Sequence, residues 1–222
     1  MGGLCQDSEG VSVKVVLATH NRGKRREWRA LLDGLGLELV LPEEIGVDIE
    51  VEETGNTYRE NALIKARALL QASGFPALAD DSGLEVDALG GAPGVKSARF
   101  RPGSDEVRYV ALLEALQGVP AGDRGARFRC LAALALPDGR EFVTEGVCDG
   151  TIGLSPSGCE GFGYDPVFQV QELDRTMAEL SADEKNVISH RARAAAAMRP
   201  ILARLFAEVE VAENIANDGS TK

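Results

Sequence analysis

Histidine is scarce in this 222-residue chain, with only His20 and His190 present. Two histidines exclude a multi-histidine zinc centre and leave few ways to build a serine-histidine triad, and no G-x-S-x-G elbow supplies a serine. The four cysteines (Cys5, Cys130, Cys148, Cys159) lie far apart with no C-x-x-C pair; they have no metal-ligand spacing and read as reduced thiols of a cytoplasmic protein. No apolar run reaches membrane-spanning length, and MGGLCQDSEG at the start lacks the basic and apolar regions of a secretion signal. Positive charge is also short. A net charge of −11 disfavours duplex nucleic acid or an anionic membrane as the main partner, so any phosphate site must be local. The P-loop spacing G-x-x-x-x-G-K-[ST] is missing, and no internal repeat or long low-complexity linker divides the chain.

What remains is a chain 44% hydrophobic, enough for a substantial core. Residues 1–12 read as an N-terminal tail, 13–207 as a single α/β domain of two lobes, and 208–222 as a polar C-terminal tail. Val13 to Thr19 is a β-branched strand, followed by a helix whose apolar face is Trp28, Leu31, Leu32 and Leu35. Val47 to Glu53 alternates as a strand. Thr57 with Glu60 forms a capping box for a helix to about Ala72, with Leu63, Ala66, Leu69 and Leu70 inward. Ala77 to Ala79 reads as a buried strand end, Gly90 to Gly94 as loop, and Asp105 to Leu116 as a third helix. Two strands, 126–136 and 141–148, join at the hairpin turn Pro137-Asp138-Gly139. A last helix, Ser189 to Ala207, carries Pro200, which is expected to kink or split it. Strands and helices interspersed in this way predict α/β architecture around a mixed sheet.

Chemistry concentrates in a few places. Asp80 and Asp81 cannot both enter an apolar core without cations, because adjacent buried carboxylates repel and lose hydration. A strand ending in Asp-Asp before Ser82-Gly83 suits the presentation of hard oxygen ligands to Mg²⁺ carrying phosphates, and the same four residue types equally suit a solvated turn. Thr19-His20-Asn21-Arg22-Gly23-Lys24 lies between the first strand and helix, where free N–H groups, the helix dipole and the cations of Arg22 and Lys24 favour phosphate. Glu52 and Glu53 could add carboxylates for a metal or general base. Asn61 and Lys65, four apart, share a helix face distinct from the leucine stripe and able to look into a cleft. In Phe162-Gly163-Tyr164-Asp165 the glycine lets a flat ligand approach, and either aromatic could stack on a base. Lys185 and Ser189-His190-Arg191 offer donors for the 6-oxo group of a purine, or simply an ordinary helix start.

Taken in order, VVLATHNRGKRREW, EETGNTYRENALIKA, ALADDSGLEVDALGGAPGVKSARF, GFGYDPVF and ELSADEKNVISHRARA closely resemble the inosine triphosphate pyrophosphatase family, the XTP/dITP diphosphatases. The resemblance runs from about Val13 to Phe206. It implies a two-lobed fold around a long mixed sheet with a central cleft, related to that of the Maf-like pyrophosphatases, and a homodimer. It also implies Mg²⁺-dependent hydrolysis of ITP, dITP and XTP to the monophosphate and pyrophosphate. By the same resemblance Thr19, Asn21 and Lys24 hold the triphosphate, and Asn61 and Lys65 belong with Glu52 and Glu53 to an acidic and amide motif. Asp81 accepts the proton and lies at the metal with one of Glu52 and Glu53, and Ser82 belongs to the motif of Asp80 and Asp81. Phe162 to Asp165, Lys185, Ser189, His190 and Arg191 form the base pocket. Maf-like enzymes lack the F-G-Y-D and S-H-R pairing, and a non-catalytic nucleotide binder would have no need of a general base. The motifs show no evident means of rejecting the 2-amino group of GTP.

Overall fold

The computed structural model describes residues 13–171 and 173–218, with side chains up to 207; the expected N-terminal tail lies outside the described residues. One six-stranded sheet forms the centre, in the order β2-β1-β3-β4-β5-β6. β1 (Val13–Ala18) lies parallel to both β2 (Leu37–Val40) and β3 (Ala77–Val86). β4 (Gly125–Ala135), β5 (Glu141–Ile152) and β6 (Phe168–Val170) follow antiparallel. This mixed sheet is the one anticipated.

Two helices connect the parallel strands on opposite faces. α1 (Arg22–Leu32) starts at Asn21, whose side chain accepts from the Lys24 N–H, and buries Trp28 and Leu32 against Val15, Leu17 and Leu78. α2 (Tyr58–Ser73) starts with the Thr57/Glu60 capping box and lays Ala62, Ala66 and Leu69 on Val16, Ala18, Ala77 and Ala79. α3 (Asp105–Ala115) belongs to the other lobe, where Leu112 and Leu116 pack with Leu84, Phe128 and Phe168 near the far ends of the long strands. The short α4 (Ala182–Ile188) and the long α5 (His190–Asp218) return to the α1 side of the sheet, with Ala194 and Met198 in the first core.

Four expectations change. Val47 to Glu53 is not a strand; Val47, Ile49 and Val51 do turn inward against the α2 core, but the outer place beside β1 is taken by β2. Asp80-Asp81-Ser82-Gly83 is neither strand end nor turn, because β4 pairs with β3 through Val86 and holds all four residues extended. Gly83 is needed there: a Cβ would collide with the Gly94 carbonyl oxygen and the Ser97 hydroxyl. Pro200 does not split α5. That helix also runs past 207 into the segment read as a tail, which has no glycine or proline to stop it before Gly219.

Candidate active site

The cleft opens where β1 stops. β1 meets β3 only through Val16–Ala18 against Ala77–Ala79, so from Asp80 onward β1 offers β3 no partner and a gap joins the two faces of the sheet. With α1 and α2 leaving on opposite faces, this is the switch point at strand carboxyl ends where α/β sheets bind ligands.

Strand alternation sends the adjacent aspartates to opposite faces. Asp80 points towards α1 and α5 and is fully buried. Its Oδ1 accepts from the Trp28 indole at 3.1 Å, and its Oδ2 meets Lys24 Nζ at 2.8 Å and Arg191 Nη2 at 3.1 Å. Burial alone would raise its pKa, but Lys24, Arg191 and Lys65 outweigh that and hold it well below the usual carboxylate range. Asp81 points towards α2. Asn61 Nδ2 donates to its Oδ2 at 3.1 Å, the Ser82 N–H to its Oδ1 at 3.1 Å, and Lys65 Nζ stands 3.6 Å away. Here burial prevails over Lys65 and Lys24, and the pKa is raised. One aspartate is therefore a fixed anion and its neighbour a carboxylate with enhanced basicity.

On the Asp81 face a cleft of about 1030 Å³ is lined by Thr19, His20, Asn21, Lys24, Glu53, Lys65 and Ser82 among others. Glu53 reaches Lys65 at 2.7 Å and Arg99 at 3.3 Å. Lys65 stays protonated, because Asp81, Asp80 and Glu53 outweigh the cost of its burial. Glu52, by contrast, is exposed, and so is Arg22; neither lines the cleft.

The gap leads to a second hollow of about 600 Å³ on the Asp80 face, which shares Asn21, Lys24 and Ser82 with the first and adds residues 162–165, Lys185, His190 and Arg191. Phe162 lies against Gly23, where a Cβ would overlap its ring, and its ring centroid is 4.7 Å from Lys185 Nζ. Tyr164 is committed elsewhere: it is buried in the second lobe's core, with its hydroxyl donating to the Ser97 carbonyl at 2.8 Å. Ser189 caps α5 by accepting from the Ala192 N–H at 3.1 Å. His190 stacks on Phe128 with ring centroids 4.8 Å apart, and its Nδ1 is buried without a hydrogen-bond partner among the described residues. Burial, reinforced by Arg191 and Lys185, pushes its pKa well down, so the imidazole is neutral.

Lys185 and Arg191 do not stand free as donors. Both are gripped by Glu27, a residue of α1 that sequence reasoning missed: Lys185 Nζ lies 2.9 Å from its Oε1 and Arg191 pairs with its Oε2. Lys185 also pairs with Asp165, and the Arg191 guanidinium donates to Ser82 Oγ at 2.8 Å. The signal for Glu27 was its place beside Trp28 on the buried face of α1, obscured by the surrounding basic run.

The Ham1 family model matches residues 15–201. A dITP/XTP pyrophosphatase of Symbiobacterium thermophilum is 54% identical over 186 residues, covering 82% of this chain and 91% of that protein. One of Streptomyces avermitilis is 51% identical over 200 residues, covering 87% and 98%. Among solved structures, a HAM1 protein from Coxiella burnetii superposes with a TM-score of 0.79 at 42% identity, covering 86% of this chain and 99% of that one. With the match spanning both lobes and the whole cleft, the chain belongs to the Ham1 family.

Proposed function

We propose that the chain hydrolyses aberrant purine nucleoside triphosphates of the dITP/XTP class, including ITP, to the monophosphate and pyrophosphate. The observation that carries this reading is the pairing of two connected compartments. One holds Asp81 with its raised pKa beside Lys24 and Lys65; the other holds Phe162 and the neutral His190 beside Lys185 and Arg191. The names of the curated relatives support the same activity.

In this reading Thr19, Asn21 and the start of α1 receive the triphosphate, and Lys24 and Lys65 balance its charge. Asp81 takes the proton from a water that attacks the α-phosphorus in line with departing pyrophosphate. Lys65 holds the Asp81 and Glu53 carboxylates close together, and Asn61 fixes one Asp81 oxygen. Among the described residues no group of three or more metal-ligating side chains gathers. Two carboxylates nonetheless fit Mg²⁺, which commonly completes its shell with substrate phosphates and water. Asp81 and Glu53 would hold it, and when bound it would polarise water and neutralise phosphate oxygens. Lys185 keeps one N–H beyond those given to Glu27 and Asp165, which suits a 6-oxo purine, whereas the 6-amino group of adenine brings a donor towards that donor, at a cost of about 1–3 kcal/mol.

The test is incubation with ITP, dITP, XTP, GTP, ATP and dUTP plus Mg²⁺, measuring pyrophosphate against orthophosphate. Pyrophosphate from the first three supports the reading. Orthophosphate, or no turnover, sinks it. We also infer a homodimer, to be checked by sedimentation, and a cytoplasmic location, which cysteines well separated in sequence suit; no described helix is long and apolar enough to cross a membrane.

A further inference from the structure

Donors facing position 6 of a purine cannot separate xanthine, hypoxanthine and guanine, which all carry an oxo group there. They differ at position 2, where xanthine has an oxo acceptor, hypoxanthine a C–H and guanine an amino donor. The wall of the base hollow built by α3 carries a cation that the mechanism leaves unused, Arg108. Its neighbour Asp105 is already committed: Oδ2 accepts from the Gly163 N–H at 2.7 Å, and Oδ1 holds Arg108 Nη2. Arg108 Nη1 donates to the Gly103 carbonyl at 2.7 Å. A guanidinium has five N–H donors and no acceptor, and these bonds take two of them. The Arg108 side chain is only 19% exposed, so its charge is partly shielded from water. The Asp105–Gly163 bond also ties this wall to the loop bearing Phe162, which fixes Arg108 relative to the ring on which a base would stack.

We propose that Arg108 reads position 2 of the bound purine and sets the order of selection, xanthine before hypoxanthine before guanine. With the 6-oxo group towards Lys185 and His190, the adjoining edge of the ring turns to α3. A donor-only cation there attracts the 2-oxo group, is indifferent to C–H, and opposes the 2-amino group. Each Asp105 oxygen already accepts one hydrogen bond, from the Gly163 N–H and from Arg108 Nη2, which lowers what it can offer a guanine 2-amino group. The inference rests on the pyrophosphohydrolase reading and names its selectivity.

Calorimetric titration of the full chain with XMP, IMP and GMP tests it independently of turnover. Wild type should bind XMP over GMP. Arg108→Gln, which can accept as well as donate, should shrink that ratio by about tenfold or more, and Arg108→Lys should keep the order. Equal losses for all three nucleotides would reduce Arg108 to a brace for Asp105 and overturn the assignment, as would an unchanged ratio or a wild type without preference. Failure of the parent reading looks different: no pyrophosphate from ITP while the binding order persists.

Discussion

At the scale of single residues, chemical identity and function separate sharply. Asp80 and Asp81 are the same amino acid one position apart, yet one is a buried strut and the other the proposed base. Replacing Asp81 by Asn should lower kcat about 10²–10⁴-fold, while nucleotide monophosphate binding, followed by calorimetry, persists. Asp81 must be ionised to accept a proton, and its pKa is raised by burial. The acid limb of the wild-type rate profile should therefore lie at higher pH than an ordinary aspartate would give. Residual turnover of the Asn variant should lack that limb. Asp80→Asn should behave as a folding lesion. It strands Lys24 and Arg191 without their shared anion, at a cost of about 3–5 kcal/mol readable by urea denaturation. Because the folded-state pKa of Asp80 is depressed, its contribution is complete above the ordinary aspartate value and fades as pH falls towards the depressed one. The variant's stability curve should accordingly be flatter at acid pH.

Among the elements, β5 and α5 meet closely enough to make a sharp test. A Cβ on Gly146 would strike the His190 carbonyl oxygen and the Ala194 nitrogen, both in the backbone of α5. Gly146→Ala should cost about 1–3 kcal/mol in thermal unfolding and also weaken purine binding, since the displaced turn carries His190 and Arg191. The elements legible in advance were those whose signal is local. Trp28, Leu31 and Leu32 mark a helix by their spacing, although Leu35, read as part of the same face, lies past its end at Leu32 and only packs on the same core; Thr57 with Glu60 satisfies its own helix start. The failures came from partners distant in sequence. Alternation at Val47, Ile49 and Val51 reports burial, but a strand also needs an edge to pair with, and β2 holds it. Asp-Asp-Ser-Gly favours a turn residue by residue, and only the register with β4 keeps it extended. Asp81, Lys65 and the Phe162 loop, singled out by the motifs, line the two hollows. The motifs could not reveal Glu27, because a carboxylate within a basic run looks solvated until the cations of α4 and α5 come to meet it.

Across the whole molecule, the net charge of −11 coexists with a cleft whose lysines and arginines are each held by a carboxylate. A nucleotide bound in the gap touches both lobes, so ligand should report on how the lobes are joined. A purine monophosphate at 100 times its Kd adds about 2.7 kcal/mol to stability, a rise in Tm of about 5–11 °C for a chain of this size. Scanning calorimetry with and without IMP would detect it, and no shift would argue against binding across the cleft. The chain also carries its own optical gauge. Trp28 is its only tryptophan, is fully shielded from water, and donates its indole N–H to Asp80, the anion that joins β3 to α1 and α5. Its emission should be blue-shifted in the native state, and a red shift would record water reaching Asp80, so loosening of the ion network can be followed by fluorescence without any introduced label.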